Sequence, residues 1–260
     1  MVNIFYDFET SSKDLLGQIL SYAFIVTDDH YDIKNELSGT IKLNRTQLPE
    51  VGAILTNKLS VKELQKNGEP EYIAAHKIYQ FINQYVDENK QVNLIGFNSN
   101  TFDLQFFRNL LIRYGINPYF FGKTNNIDIL HFVQYIAFKH PNAFKWALTT
   151  SQEEDNTTTK YYSFKLEDTT KSFGLLNTAQ SHQAREDVLL TINLVAKLEQ
   201  EFNEKLLEFK ATNLNVINPL QPLKTLFKQK VRDYSKSDTL PEKYIYKYWL
   251  PLSVNPKELL

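Results

Sequence analysis

Asp7 and Glu9 stand two residues apart in Val2-Asn3-Ile4-Phe5-Tyr6-Asp7-Phe8-Glu9-Thr10, a run that is otherwise almost wholly apolar. Side chains alternate faces along a strand, so both carboxylates point the same way, about 6–7 Å apart. A run this apolar reads as a central strand buried on both faces. Two acids on such a strand repel one another unless cations lie between them. Asp-x-Glu also ends many ordinary strands, and the pair alone decides nothing. Two more acids, Asp103 and Asp187, lie in distant segments, the second in His182-Gln183-Ala184-Arg185-Glu186-Asp187. Asp103 falls where a helix should begin, and there the helix dipole accounts for a negative charge as well as chemistry does. Four carboxylates without a thiolate suit hard cations such as Mg²⁺ or Mn²⁺. Two such ions about 4 Å apart can activate a water and stabilise a leaving oxygen in phosphodiester cleavage. His182 is then the general base, since histidine is the side chain that exchanges a proton near neutral pH.

The elements that must bring these residues together can be read in order. Residues 2–9 form the first strand, Ile19 to Val26 a second, and a third runs within Tyr31–Leu43, as an antiparallel meander. His30 belongs to the turn between the second and third. Pro49 to Gly68 is irregular or carries short helices. A helix follows from about Glu71, with Pro70 near its start and Ala74, Ile78, Phe81 and Tyr85 on one face. His76 lies off that stripe and should be exposed. Val92 to Gly96 reads as a buried strand. Thr101 can cap the next helix, Gly115 suits its end, and Phe106, Leu110 and Tyr114 keep helical spacing. Asn126 to Phe138 reads as another helix, and Leu166 to Phe173 as a short one ending at Gly174. Thr149 to Thr159 is polar and low in complexity, which reads as a surface loop. A long helix spans about Ala184 to Leu207, with Val188, Ile192, Val195, Leu198, Phe202 and Leu206 as its buried stripe. Asp187 lies in its first turn and His182 in the loop ahead of it, so both can face one cleft. Strands alternating with helices make an α/β domain with a mixed sheet.

A chain of 260 residues, 42% hydrophobic and 13% aromatic, can bury one substantial core with length left for an appendage. No stretch is long or apolar enough to span a membrane, and no secretory leader is visible, so the expected location is cytoplasmic. Without cysteine, disulfides and thiolate metal sites are excluded. A net charge of −1 gives no global sign of a nucleic-acid binder, so such binding has to come from local basic patches or bridging metal ions.

Asp-x-Glu-Thr at 7–10, Asn-x-x-x-Phe-Asp at 98–103 and His-x-x-x-x-Asp at 182–187 resemble, in this order, the three motifs of the DEDDh 3′→5′ exonucleases. The likeness is closer still to the bacterial exonuclease I family, which degrades single-stranded DNA. It extends through Leu48-Pro49, Gly52-Ala53-Ile54-Leu55-Thr56, Gly96-Phe97-Asn98, Asn126-Ile127-Asp128-Ile129-Leu130, Pro141, Trp146, Phe164-Lys165-Leu166-Glu167 and His182-Gln183-Ala184, covering residues 4 to about 198. The resemblance implies an α/β, ribonuclease H-like mixed five-stranded sheet flanked by helices, and two Mg²⁺ (or Mn²⁺) ions. It implies that Asp7 contacts both metals, Glu9 and Asp187 the first, and Asp103 the second through water, with His182 as base. Thr10 matches the position that helps hold the 3′-terminal nucleotide, and Asn98 the one that supports the second motif. Trp146 and Phe102 could stack on bases, though both also suit a core.

Two departures stand out. Ser11-Ser12 follows Asp-Phe-Glu-Thr where exonuclease I carries Phe-Gly, which bears on the grip on the terminal base. Residues 1–208 make the exonuclease domain and 209–260 a short C-terminal extension, where exonuclease I continues through SH3-like and helical domains. Within that extension, Lys224 to Trp249 interleaves lysines and Arg232 with Tyr234, Tyr244, Tyr246, Tyr248 and Trp249. Basic residues among aromatics suit a single strand, and equally an appendage that packs its rings and leaves its lysines in water. The expected partner is a single-stranded DNA 3′ end, with RNA, or strand-end binding without catalysis, as alternatives.

Overall fold

The structure, a computed structural model, describes residues 2–44, 46, 48–86, 92–118, 124–139, 148–152, 158–176 and 180–214. It divides into two compact units. The first holds the chain to Ile129 together with Leu175–Glu201, and is built on a five-stranded sheet. Its strands are β1 (Val2–Thr10), β2 (Ile19–Thr27), β3 (Ile33–Thr40), β4 (Val92–Gly96) and β5 (Thr124–Asp128), in the order β3-β2-β1-β4-β5. The meander β1-β2-β3 is antiparallel, while β4 and β5 join parallel to β1. The sheet is thus mixed and five-stranded, as the sequence led us to expect.

Period-two alternation along β1 sorts its residues. Ile4, Tyr6 and Phe8 join Tyr22, Phe24 and Val26 of β2 in the main core. That core is closed by Ala74, Ile78 and Ile82 of α3 (Glu71–Asn83) and by Phe106, Phe107, Leu110 and Leu111 of α4 (Asp103–Arg113). Asp7 and Glu9 therefore fall on the opposite side, with Phe5. Their neighbours across β2 are Ala23 and Ser21, two small residues that leave room above the acids. The segment between β3 and α3 carries α1 (Val51–Asn57) and α2 (Val61–Asn67), the short helices expected there.

The second unit holds Leu130–Gly174 and the chain from Phe202 onward. Two expectations are corrected, one at the end of the first unit's opening segment and one in the second unit. Asn126 does not begin a helix: Thr124–Asp128 pairs with β4 as the fifth strand, and α5 starts at Ile129 and runs to Lys139. The polar stretch read as a loop instead supplies a hairpin, β6 (Leu148–Gln152) against β7 (Thr158–Tyr162). Thr149, Thr150, Thr158 and Thr159 are β-branched, and Tyr161 and Tyr162 favour strands, so propensity outweighs polarity there. The unit also contains α6 (Leu166–Ser172), which ends at Gly174 with φ 69°. Helix α7 (Ala184–Leu214) starts in the first unit and leaves helical geometry at Phe202. Its first-unit portion buries Val188, Ile192, Val195 and Leu198, the expected stripe. No helix among the described residues is long and apolar enough to cross a membrane.

Candidate metal centre

The site forms where the sheet opens. Parallel pairing of β1 with β4 stops at Phe5 and Ile95, and β1 runs on to Thr10 beside β2 alone. Past that point the N–H groups on this edge of β1 need other acceptors. Asp103, in the first turn of α4, meets this need: its Oδ1 accepts the N–H of Phe8 at 3.0 Å. The second acid motif is thereby fixed to the backbone between Asp7 and Glu9. Gly96 makes the departure of β4 possible. A Cβ there would lie 2.5 Å from Cβ of Ser99 and 3.2 Å from the Tyr6 carbonyl oxygen.

Asp187 completes the cluster. One carboxylate oxygen from each of Asp7, Glu9 and Asp187 lies within 4.8 Å of the others. Asp187 itself is buried, and Asp7 and Glu9 are half-buried. Its side chain accepts a hydrogen bond from Nε2 of Gln180, and its N–H donates to the Gln183 carbonyl at 3.0 Å. The loop carrying His182 is thus folded back on the first turn of α7. His182 is half-buried with φ 53°, a left-handed backbone that a non-glycine residue adopts only where its surroundings hold it. Arg185 ties the same turn to β3 through a 2.9 Å ion pair with Glu36.

Burial raises the proton affinity of all four acids, and neighbouring negative charges add to it. Asp7 is pushed well above the carboxylate range by burial and then by Asp103, Asp187 and Glu9. Glu9 is pushed up to about 8 by burial and by the charges of Asp187 and Asp103. Asp103 also reaches about 8 through burial, opposed by the N–H bonds of Phe8 and its own backbone and assisted by Asp128. Burial raises Asp187 to about 6, with Gln180 pulling it down and Glu186 pushing it up. Negative charge concentrated this far is the electrostatic condition for binding a divalent cation. Every donor is a carboxylate oxygen, which fits Mg²⁺ or Mn²⁺ and not a thiophilic metal.

The remaining candidates divide. Thr10 is buried, donates its hydroxyl to the Ser12 carbonyl at 2.7 Å, and accepts Asn57 Nδ2 at its own carbonyl. Ser11 and Ser12 are buried too: the Ser11 hydroxyl accepts the Gln18 N–H, and the Ser12 hydroxyl donates to the Asp14 carbonyl. The loop after β1 is therefore closed by its own hydroxyls. Asn98 is exposed with φ 60°, and its Oδ1 accepts the Thr101 hydroxyl at 2.7 Å. Thr101 is thus engaged with Asn98 and does not cap α4, whose N-cap position is Phe102. Phe102 packs on Phe106, ring centroids 4.9 Å apart, against the main core. Trp146 and the basic, aromatic stretch Lys224–Trp249 lie outside the described residues. Sequence reasoning missed Gln180, because an isolated glutamine in a loop carries no spacing signal. It also left Asp128 without a role, because the segment around it read as the start of a helix and not as the end of a strand.

No family model matches the chain. Over 211 residues it is 28% identical to exodeoxyribonuclease I of Buchnera aphidicola subsp. Acyrthosiphon pisum, covering 79% of this chain and 48% of the relative. The corresponding protein of Buchnera aphidicola subsp. Baizongia pistaciae is 26% identical, with 79% of this chain and 41% of the relative covered. The chain spans under half the length of these relatives. Among solved structures, the zinc-bound E. coli exonuclease I complex with single-stranded DNA superposes with a TM-score of 0.69. That match has 23% identity and covers 81% of this chain and 43% of the other. A further exonuclease I structure gives a TM-score of 0.70 at 22% identity, covering 89% of this chain and 45% of that one. The fold is that of the exonuclease I nuclease domain, which is ribonuclease H-like.

Proposed function

We propose that the chain carries a metal-dependent 3′→5′ exonuclease that degrades single-stranded DNA to 5′-mononucleotides. Residues 1–208 form its nuclease domain, 209–260 an extension, and its location is the cytoplasm. The observation that carries this reading is the meeting of Asp7, Glu9 and Asp187, from segments far apart in the chain, within 4.8 Å. Asp103, bonded to β1 between the first two, supports it.

Asp7, Glu9 and Asp187 would hold one Mg²⁺ or Mn²⁺, and Asp7 with Asp103, the latter through water, would hold a second. When bound, the pair supplies Lewis acidity that favours ionisation of the attacking water and stabilises charge on the leaving oxygen. His182 takes the proton of that water on a ring nitrogen. The hydroxide oxygen bonds to the phosphorus of the last nucleotide, and the bond to the 3′ oxygen of the preceding nucleotide breaks. That oxygen leaves with the bonding pair and is protonated, giving a 5′-mononucleotide and a strand shorter by one residue. Thr10 and Asn98 border the terminal nucleotide, Thr10 by shaping the loop after β1. Phe102 and Trp146 are the stacking candidates. The names of the relatives favour deoxyribose over ribose.

Matched DNA and RNA oligonucleotides labelled at the 5′ end test the reading. With Mg²⁺ or Mn²⁺, a ladder shortening from the 3′ end and faster loss of DNA are expected. Faster loss of RNA would reassign the substrate. Binding of strand ends with no digestion under either ion would replace the enzyme by a binding module.

A further inference from the structure

We propose that Asp128 is a positioning residue: it clamps the turn between β4 and α4 and so fixes Asp103 on β1. This rests on the functional reading above. Asp128 is the last residue of β5, pairs in register with Gly96, and is 1% exposed. Its Oδ1 accepts the N–H of Asn98 at 2.8 Å, and its Oδ2 the N–H of Asn100 at 3.0 Å. These two amides belong to a turn that is sharp and unusual. Asn98 is left-handed at φ 60°, Phe102 has φ −124° and ψ −80°, and Ser99 between the two donors is 1% exposed. Both bonds are partly buried, and an amide left there without its acceptor carries a cost.

A carboxylate suits the task because its two oxygens accept from alternate residues with charge-assisted bonds. The turn then feeds directly into the site. The Ser99 carbonyl accepts the Leu104 N–H at 2.8 Å, and Asp103, immediately before Leu104, reaches the Phe8 N–H. Releasing the turn therefore shifts the first residue of α4, while Asp7, Glu9 and Asp187 stay on β1 and α7. Sheet pairing places β5 beside β4, so the fifth strand reaches the turn through the Asp128 side chain.

Asp128→Asn keeps the shape but leaves only one acceptor oxygen for two amides. Its kcat on a DNA oligonucleotide should fall about 10–100-fold, the range seen when partners behind metal-site ligands are removed. The Mn²⁺ concentration giving half-maximal rate, and calorimetric Mn²⁺ binding without DNA, should weaken in parallel, while KM for the strand stays nearly constant. Ile82→Val, a buried α3 substitution, serves as a destabilised control and should move none of these. In the metal-free wild type, the Asn98 and Asn100 amides should be protected from hydrogen exchange, and in Asp128→Asn at least one should lose that protection. Wild-type kcat and Mn²⁺ affinity in Asp128→Asn would overturn the proposal, as would a loss no larger than that of Ile82→Val. Unprotected amides in the wild type would do the same even if the variant failed to fold. A wild type that neither binds Mn²⁺ nor cuts DNA sinks the functional reading instead, and the clamp is then judged by the exchange data alone.

Discussion

Replacing Glu9 with Gln should stabilise the metal-free protein while it disables the site. In the fold, burial and the charges of Asp187 and Asp103 push the Glu9 carboxyl from 4.5 to about 8. The folded value lies above the unfolded one. The stability this group contributes is therefore complete below about pH 4.5 and is lost as pH rises towards 8. Fully expressed, the loss is about 5 kcal/mol. Glu9 is half-buried, so water screens part of it and about 2 kcal/mol is the working figure. Glu9→Gln does not titrate, so at pH 8 in a chelator it should melt about 4–8 °C above the wild type. At pH 4.5 the difference should vanish, which separates charge from packing. Millimolar Mg²⁺ should reverse the order, because the wild type then gains binding energy that the variant lacks. Differential scanning calorimetry across this range is the assay. A variant that melts at or below the wild type at pH 8 without metal would refute the electrostatics assigned to the cluster.

Asp7→Ala should lower strand cleavage by about 10³-fold or more, since this carboxylate serves both ions, while the fold is kept; a near-normal rate would remove the two-metal argument. His182→Gln should lower kcat about 10²–10⁴-fold with KM little changed; an unaltered kcat would deny it the role of base. Gly96→Ala should destabilise by about 1–3 kcal/mol in urea, because its Cβ would sit 2.5 Å from Cβ of Ser99. An unchanged denaturation midpoint would show that β4 can leave the sheet without this glycine.

The sheet's centre was legible because β1 and β2 are dense apolar runs, and because Asp7 and Glu9 share a face by simple alternation. The first turn of α7 was legible from the stripe that begins at Val188. What escaped were elements whose reasons lie elsewhere in the chain. Thr124-Asn125-Asn126-Ile127-Asp128 has little strand propensity of its own, and becomes β5 because β4 offers it a parallel partner in register. Thr101 has the residue type and position of a helix cap, yet its hydroxyl goes to Asn98 once that residue turns left-handed. The bond from Asp103 to the Phe8 N–H depends on where β4 ends, which no local pattern records. Gln180 meets Asp187 only because the loop before α7 folds back.

Anomalous diffraction at the manganese edge, from crystals soaked in Mn²⁺ with a 5′-mononucleotide, tests most directly whether the four acids form a two-ion centre. Two peaks are expected, one touching Asp7, Glu9 and Asp187 and the other between Asp7 and Asp103, and both should disappear in Asp7→Ala. Crystals saturated with Mn²⁺ that show no peak against these carboxylates would contradict the metal centre and the hydrolysis built on it.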